Sequence, residues 1–259
     1  MYRPIALFDS GIGGLPVLQN VVRILPNENY LYLADNEFFP YGTKSFEQLE
    51  PRLQKVAELL LSCNVKAIVV ACNTASLHIE SIKKIAKIPV IDVINPTCNA
   101  VLQQTQNKKV CLLATDATVK QGVYQQKLND FGIDVTAIAC SNFVPLAENL
   151  AKNNVDVQKV VRNTLLPYSA MSFDTVILGC THFGLLKKQI INVLGNKQYV
   201  QCGLPTALQL QKVLYQNGLT SNNGNGAIQF LTTGSSRNFD NLSTIFPFDF
   251  SNAQAVCID

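Results

Sequence analysis

Short apolar runs alternate with longer stretches in which apolar residues recur every three or four positions, and the alternation continues along almost the whole chain. Ile5–Phe8, Tyr30–Ala34, Ala67–Ala71, Val90–Val93, Lys109–Leu113, Val135–Ala139, Thr175–Leu178 and Ala227–Thr232 have the length and the β-branched or aromatic character of buried strands. Helical spacing follows in Gly14–Leu25, where Leu15, Leu18, Val22 and Leu25 share a face. It recurs in Ser45–Cys63, Ala75–Ala86, Val119–Phe131, Pro145–Lys152, Val155–Tyr168, Leu185–Leu194, Pro205–Asn217 and Arg237–Phe246. Strands separated by helices of this length predict right-handed crossovers and parallel sheets, an α/β fold.

A coarse echo runs through this pattern. A strand leads into Asp9-Ser10 and another into Cys72-Asn73; in the second half, strands lead into Ala114-Thr115 and Cys180-Thr181. Two related α/β halves with a cleft between them would place these residues at strand ends, where open α/β sheets bind ligands. Ser221–Gly226, rich in Asn and Gly, reads as a surface loop.

Composition narrows the function classes. The 259 residues suffice for one large domain or two smaller ones, and 47% hydrophobic against 15% charged residues describes a chain with a substantial core. The net charge of +3 is small, and no dense Lys/Arg block interleaves with aromatics, which argues against nucleic acid as a partner. Lys83, Lys84 and Lys87 read as a solvated helix face. The longest apolar runs fall far short of the ~18–20 residues that cross a bilayer. No basic segment, apolar region and cleavage site precede the first strand, so the expectation is a cytoplasmic protein without a membrane partner.

The eight cysteines do not read as a disulfide framework, which belongs to short secreted chains. Cys111 and Cys140 sit within apolar runs, where a reduced cysteine packs as a small hydrophobe. Without any Cys-x-x-Cys, and with only His78 and His182, a metal site is not expected; nor is the usual spacing of a thiol-disulfide switch present.

Cys72 and Cys180 differ from the other cysteines. Each follows a β-branched run and precedes polar residues: Asn73 and Thr74 in one case, Thr181 and His182 in the other. Most buried cysteines are inert, but two at matching strand ends suggest two bases working on opposite faces of one carbon. Helix starts beyond them would offer backbone N–H groups to a carboxylate and favour a thiolate. A free thiol, with pKa ~8.5, is ionised only to a few per cent near neutrality, so each site needs help. Asp9 is placed to help Cys72, and His182 to help Cys180. Phe8-Asp-Ser-Gly-Ile-Gly-Gly14 has a Gly-x-Gly pattern, but its third glycine is at the wrong offset for a dinucleotide fingerprint. An acid also stands where a pyrophosphate would approach, so it reads as a tight loop permitting close backbone approach. No lysine lies in an evident pyridoxal setting, and no cofactor is expected.

These segments together resemble the bacterial glutamate racemases, cofactor-independent members of the aspartate/glutamate racemase superfamily. The anchors are Phe8–Gly14, Asp35 with Pro40-Tyr41-Gly42, Ala71–Ser76, Ala114–Thr118, Phe143–Glu148 and Gly179–His182. The resemblance implies two Rossmann-like or flavodoxin-like α/β domains with mainly parallel sheets, related by a pseudo-twofold, with the active site in the interdomain cleft. The first domain would comprise 1–95 plus 208–259 and carry Asp9 and Cys72; the second, 96–207, would carry Glu148, Cys180 and His182. It also implies a homodimer, an L-/D-glutamate substrate, and a role supplying D-glutamate for peptidoglycan. Cys72 would take the proton from D-glutamate and Cys180 from L-glutamate, assisted by Asp9 and His182 respectively. Glu148 would lie near the amine and the second cysteine. Ser10, Pro40, Tyr41, Gly42, Asn73, Thr74, Thr115, Thr118 and Thr181 would hold the substrate.

The chain departs from the family pattern at Phe183-Gly184, where Tyr-Pro is usual, at Ala147, where Val is usual, and at Val200-Gln201-Cys202. None removes a catalytic group. The residues alone leave two other readings open: a racemase for aspartate, and a non-catalytic thiol, redox or binding protein on the same scaffold.

Overall fold

Every apolar run named above is a strand in the computed structural model, which describes residues 3–148, 156–221, 224–240 and 242–258. In chain order the strands are β1 (Ile5–Asp9), β2 (Tyr30–Ala34), β3 (Ala67–Val70), β4 (Val90–Asp92), β5 (Lys109–Ala114), β6 (Asp134–Ala139), β7 (Thr175–Gly179), β8 (Gln198–Gln201), β9 (Ile228–Thr233) and β10 (Gln254–Val256). They form two sheets, ordered β10-β9-β2-β1-β3-β4 and β6-β5-β7-β8, and all the pairings are parallel.

The helices are α1 (Leu15–Ile24), α2 (Phe46–Ser62), α3 (Asn73–Ser76), α4 (Ile79–Ile85), α5 (Ile94–Gln104), α6 (Asp116–Gln121), α7 (Val123–Asn129), α8 (Phe143–Glu148), α9 (Val157–Leu165), α10 (Lys187–Leu194) and α11 (Gly203–Gln216). Successive residues of β1 face opposite cores, as buried parallel strands require. Ile5 and Leu7 pack with Leu15, Leu18 and Val21 of α1, while Ala6 and Phe8 pack with Leu49, Leu53, Val56 and Leu60 of α2. α2 begins on a capping box: Ser45 Oγ accepts from Gln48 N, and Gln48 Oε1 accepts from Ser45 N.

The segment β2-β1-β3-β4 repeats the order β6-β5-β7-β8. In each, the chain makes a strand, adds a neighbour on one side, then crosses to the other side. The crossing opens a crevice between β1 and β3 in one sheet and between β5 and β7 in the other, which is where such sheets bind ligands. Register completes the placement. Phe8 pairs with Val70, so Asp9 and Cys72 leave the first sheet close together; Ala114 pairs with Gly179, so Thr115 and Cys180 leave the second side by side.

Several sequence expectations change. The helix expected over Val119–Phe131 is two helices, α6 and α7, because Gly122 has φ +70 and ends the first turn sequence. The helix expected over Ala75–Ala86 is likewise broken, at residues 77 and 78, between α3 and α4. Among its described residues, Arg237–Phe246 contains only short 3₁₀ turns, Ser236–Phe239 and Leu242–Thr244. Phe239 packs into an aromatic cluster with Phe230 and Phe250, and a regular helix gives way to that packing. α5 arises where periodicity marks nothing: the Asp92 carboxylate accepts from the backbone N–H of Ile94 and Asn95 and starts it. The helical stretches expected at Pro145–Lys152 and Val155–Tyr168, and the loop at Ser221–Gly226, fall partly outside the described residues. The expected domain boundaries at 95/96 and 207/208 fall inside α5 and α11, the helices that connect the two sheets; α11 returns to pack on α1.

Candidate active site

At the end of β1, Asp9 turns the glycine loop by accepting a hydrogen bond from Gly11 N at 2.9 Å, and Tyr32 Oη donates to the Gly11 carbonyl at 2.8 Å. The loop's glycines are explained by what lies above them. A Cβ on Gly13 would sit 2.4 Å from Nδ1 of His182, and one on Gly11 would sit 2.9 Å from Oε1 of Glu148. Close backbone approach was expected here; the groups approaching are side chains from the second sheet's half of the molecule. Gly42 plays the same part beside Thr115, whose Cβ would lie 2.9 Å from an added methyl.

Cys72 and Cys180 both border one small cavity. Its wall also takes in Ser10, Pro40, Tyr41, Gly42, Asn73, Thr74, Thr115, Thr181 and His182 from the sequence expectation. Thr43, Ser141 and Val144 line it too and were not anticipated; Val144 lies within the Phe143–Glu148 motif. The remaining expected residues stand behind the wall. Thr118 Oγ1 lies 3.1 Å from Thr115 Oγ1, which lies 3.2 Å from Thr74 Oγ1, so a chain of hydroxyls crosses between the two halves. Tyr41 borders the cavity and donates its hydroxyl proton to Asp35 Oδ2 at 2.5 Å. A second hollow lies between α1, α5 and α11; its lining is mostly amide and apolar, with Lys187, Lys212 and Tyr199, and it includes none of the expected site residues.

The two thiols have unlike surroundings. Burial, reinforced by the neighbouring Asp9 charge, pushes the Cys72 thiol far up; the N–H groups of Ala75 and Thr74 oppose this only weakly. The helix-start field expected at the two thiols is correspondingly small, because α3 has four residues and Cys180 opens onto a 3₁₀ segment, Thr181–Leu186. Asp9 is itself pushed up by burial, against the pull of His182 and its bonds from Gly11 and Thr181. Thr181 Oγ1 donates to Asp9 Oδ2 at 3.1 Å, a second link between the halves.

Cys180 instead has a relay behind it. His182 Nδ1 lies 3.8 Å from Cys180 Sγ, and His182 Nε2 lies 2.6 Å from Glu148 Oε1. Burial works against charging the ring, but its hydrogen bonds to Cys180 and Glu148, with the charges of Cys180 and Asp9, outweigh that and hold the imidazolium well above the usual histidine range. A histidine cation can donate to both neighbours at once. The arrangement thus joins a thiol that keeps its proton to a sulfur with a counter-charge, at the two switch points of a duplicated sheet order.

The chain is 37% identical over 240 residues to a glutamate racemase of Lysinibacillus sphaericus, covering 91% of each. The structure resembles that of a glutamate racemase isoform from Bacillus anthracis, with TM-score 0.90 and 31% identity over 99% of this chain and 97% of that one. It also resembles a glutamate racemase from Francisella tularensis in complex with D-glutamate, with TM-score 0.90 and 30% identity over 99% of this chain and 98% of that one. The model of the Asp/Glu/Hydantoin racemase family matches residues 12–205. That span carries both cysteines, His182 and the connecting strands, and the chain belongs to this family.

Proposed function

We propose that the protein is a cofactor-independent glutamate racemase that interconverts L- and D-glutamate with two thiols, and that it supplies D-glutamate in the cytoplasm for peptidoglycan, and so for cell-wall biogenesis and cell shape. The observation that carries the reading is that Cys72 and Cys180, from equivalent strand ends of two sheets, border one cavity lined by hydroxyl and amide groups. The relatives' names support glutamate, rather than aspartate, as the substrate.

In the L-to-D direction, the Cys180 thiolate takes the proton from Cα. The electron pair of the broken C–H bond passes into the substrate α-carboxylate. Donors preorganised in a small, largely buried cleft stabilise that charge, the hydroxyls of Thr74 and Thr115 among them. Cys72, a thiol by virtue of its burial, gives its proton to the opposite face. The product leaves a Cys72 thiolate and a Cys180 thiol, which suits the reverse direction. The two sulfurs and their carboxylate and imidazole neighbours titrate as one coupled set.

Cys72→Ser and Cys180→Ser should each lower racemisation of glutamate by at least about 10²–10⁴-fold, the scale of a lost acid or base. Circular dichroism of the amino acid follows racemisation, and mass spectrometry follows solvent deuterium entering at Cα. Racemisation at the parent rate in either variant, or no deuterium uptake by the parent, would sink the two-thiol reaction. Faster turnover of aspartate would move the assignment to the aspartate enzymes.

A further inference from the structure

Tyr124, on α7 beside the second sheet, reaches across to the first half and donates its hydroxyl proton to Asn73 Oδ1 at 2.7 Å. Both side chains are buried, Tyr124 completely. Asn73 follows Cys72 directly and borders the cavity. Its other polar atom, Nδ2, is buried without a hydrogen-bond partner among the described residues. The neighbour it influences is the thiol of Cys202, which burial pushes up to about 12 and Asn73 draws slightly down. A thiol is a weak acceptor, so the amide donor stays unsatisfied. Leaving a buried donor unmade is costly, and an incoming acceptor relieves that cost.

We infer that Tyr124 is a positioning residue for the substrate: by occupying Oδ1, it fixes the Asn73 carboxamide so that the N–H end, not the carbonyl, meets a carboxylate of the bound dicarboxylic amino acid. With the amide reversed, an oxygen acceptor would face an anion and repel it. Tyr124 supplies the constraint from the opposite half of the molecule, so the amide orientation depends on the two halves being apposed. The inference rests on the racemase reading and adds to it a residue that never touches the substrate.

The test uses the intact protein and D-glutamate, with binding measured by calorimetry alongside steady-state rates. Tyr124→Phe keeps the ring and removes the proton donor. It should raise Kd and KM about 3- to 10-fold, the loss of one neutral hydrogen bond's worth of orientation, with kcat little changed. In an Asn73→Ala background the same change should add nothing, because the two act as one unit. Asn73→Asp keeps an oxygen for Tyr124 but replaces the donor with a charge, and should weaken binding more than tenfold. It decides the matter alone if Tyr124→Phe does not fold. Unchanged Kd in Tyr124→Phe or in Asn73→Asp, or equal losses with and without Asn73, overturns the inference. A parent protein that binds D-glutamate yet racemises nothing would fail the racemase reading while leaving the calorimetric test of Tyr124 intact.

Discussion

Asp9 stands beside Cys72, and the His182–Glu148 pair stands beside Cys180, so the two ends of the cavity are chemically different although the reaction is symmetric. L- and D-glutamate have equal free energies, so the equilibrium constant is unity. Values of kcat/KM must then be equal in the two directions whatever the asymmetry of the site. Removing a helper from one sulfur cannot favour one direction; it must slow both alike. His182→Asn should therefore lower kcat/KM by about 10²-fold or more in each direction, the scale of a weakened acid-base group. The asymmetry should emerge with labelled substrate. Proton transfer at Cys180 becomes the slower step in this variant. If, as proposed, L-glutamate gives its α-deuterium to Cys180 and D-glutamate gives its own to Cys72, the isotope effect on kcat/KM should then grow for L-glutamate and shrink for D-glutamate. Equal isotope effects from both enantiomers would mean that His182 does not serve Cys180 in particular.

The loop between β1 and α1 carries the same logic at the level of an element. Gly13 has an ordinary backbone but no room, since an added methyl would meet the His182 ring at 2.4 Å and Thr181 Oγ1 at 2.7 Å. Gly195, after α10, is the converse case: φ is +78 and nothing lies within 4 Å of an added Cβ. Gly13→Ala should displace His182 and reduce kcat by at least about tenfold, with an overpacking cost of about 1–3 kcal/mol. Gly195→Ala should cost about 1–3 kcal/mol, because φ +78 with ψ −169 is a backbone region essentially reserved to glycine, and leave kcat unchanged. Denaturant titrations beside rate measurements separate the two; a fully active Gly13→Ala would show that the loop does not set the histidine. Which elements could be read from sequence follows from the same contrast of local and distant causes. β1, β2, β3 and β7 are legible because strands buried on both faces are almost wholly apolar, and β4, β5, β6 and β9 because their apolar residues still dominate despite polar positions such as Lys109, Asp134 and Gln229. β8 and β10 carry Gln198, Gln201 and Gln254 at their ends and give no such signal. Cys72 and Cys180 are legible because each ends an apolar run. The bonds from Tyr41 to Asp35, from Tyr124 to Asn73 and from His182 to Glu148 join residues that no periodicity relates, and only the folded chain displays them.

At the scale of the whole molecule, the chain leaves the first sheet after β4, builds the second, and returns through α11 to finish the first with β9 and β10. The first strand and the last described residues therefore lie in one half, and Arg52 of α2 ties the tail to the residue that follows β2. Its Nη1 donates to the carbonyl of Ile258 at 2.8 Å, while Nε and Nη2 grip Asp35 at 3.0 and 2.7 Å. Asp35 is wholly buried and also accepts from Tyr41, on the cavity wall, and from Thr233 at the end of β9, at 2.7 Å. One carboxylate thus connects α2, the last long strand and the substrate-facing loop, and through Arg52 the tail. Removing one partner of a buried ion pair strands the other, and that costs more than losing the pair. Arg52→Met should destabilise the protein by about 3 kcal/mol, the low end of the range for a broken buried pair because Arg52 keeps some contact with water. Asp35→Asn added to Arg52→Met should recover part of that loss, since a neutral amide is easier to bury than a lone carboxylate. The single variant should also raise KM for glutamate, because Tyr41 loses the fixed acceptor that seats its loop. Urea unfolding of the parent, both single variants and the double variant gives the sign of the coupling. A double variant less stable than Arg52→Met would mean that the attraction itself, and not the stranded charge, holds the tail and the loop in place.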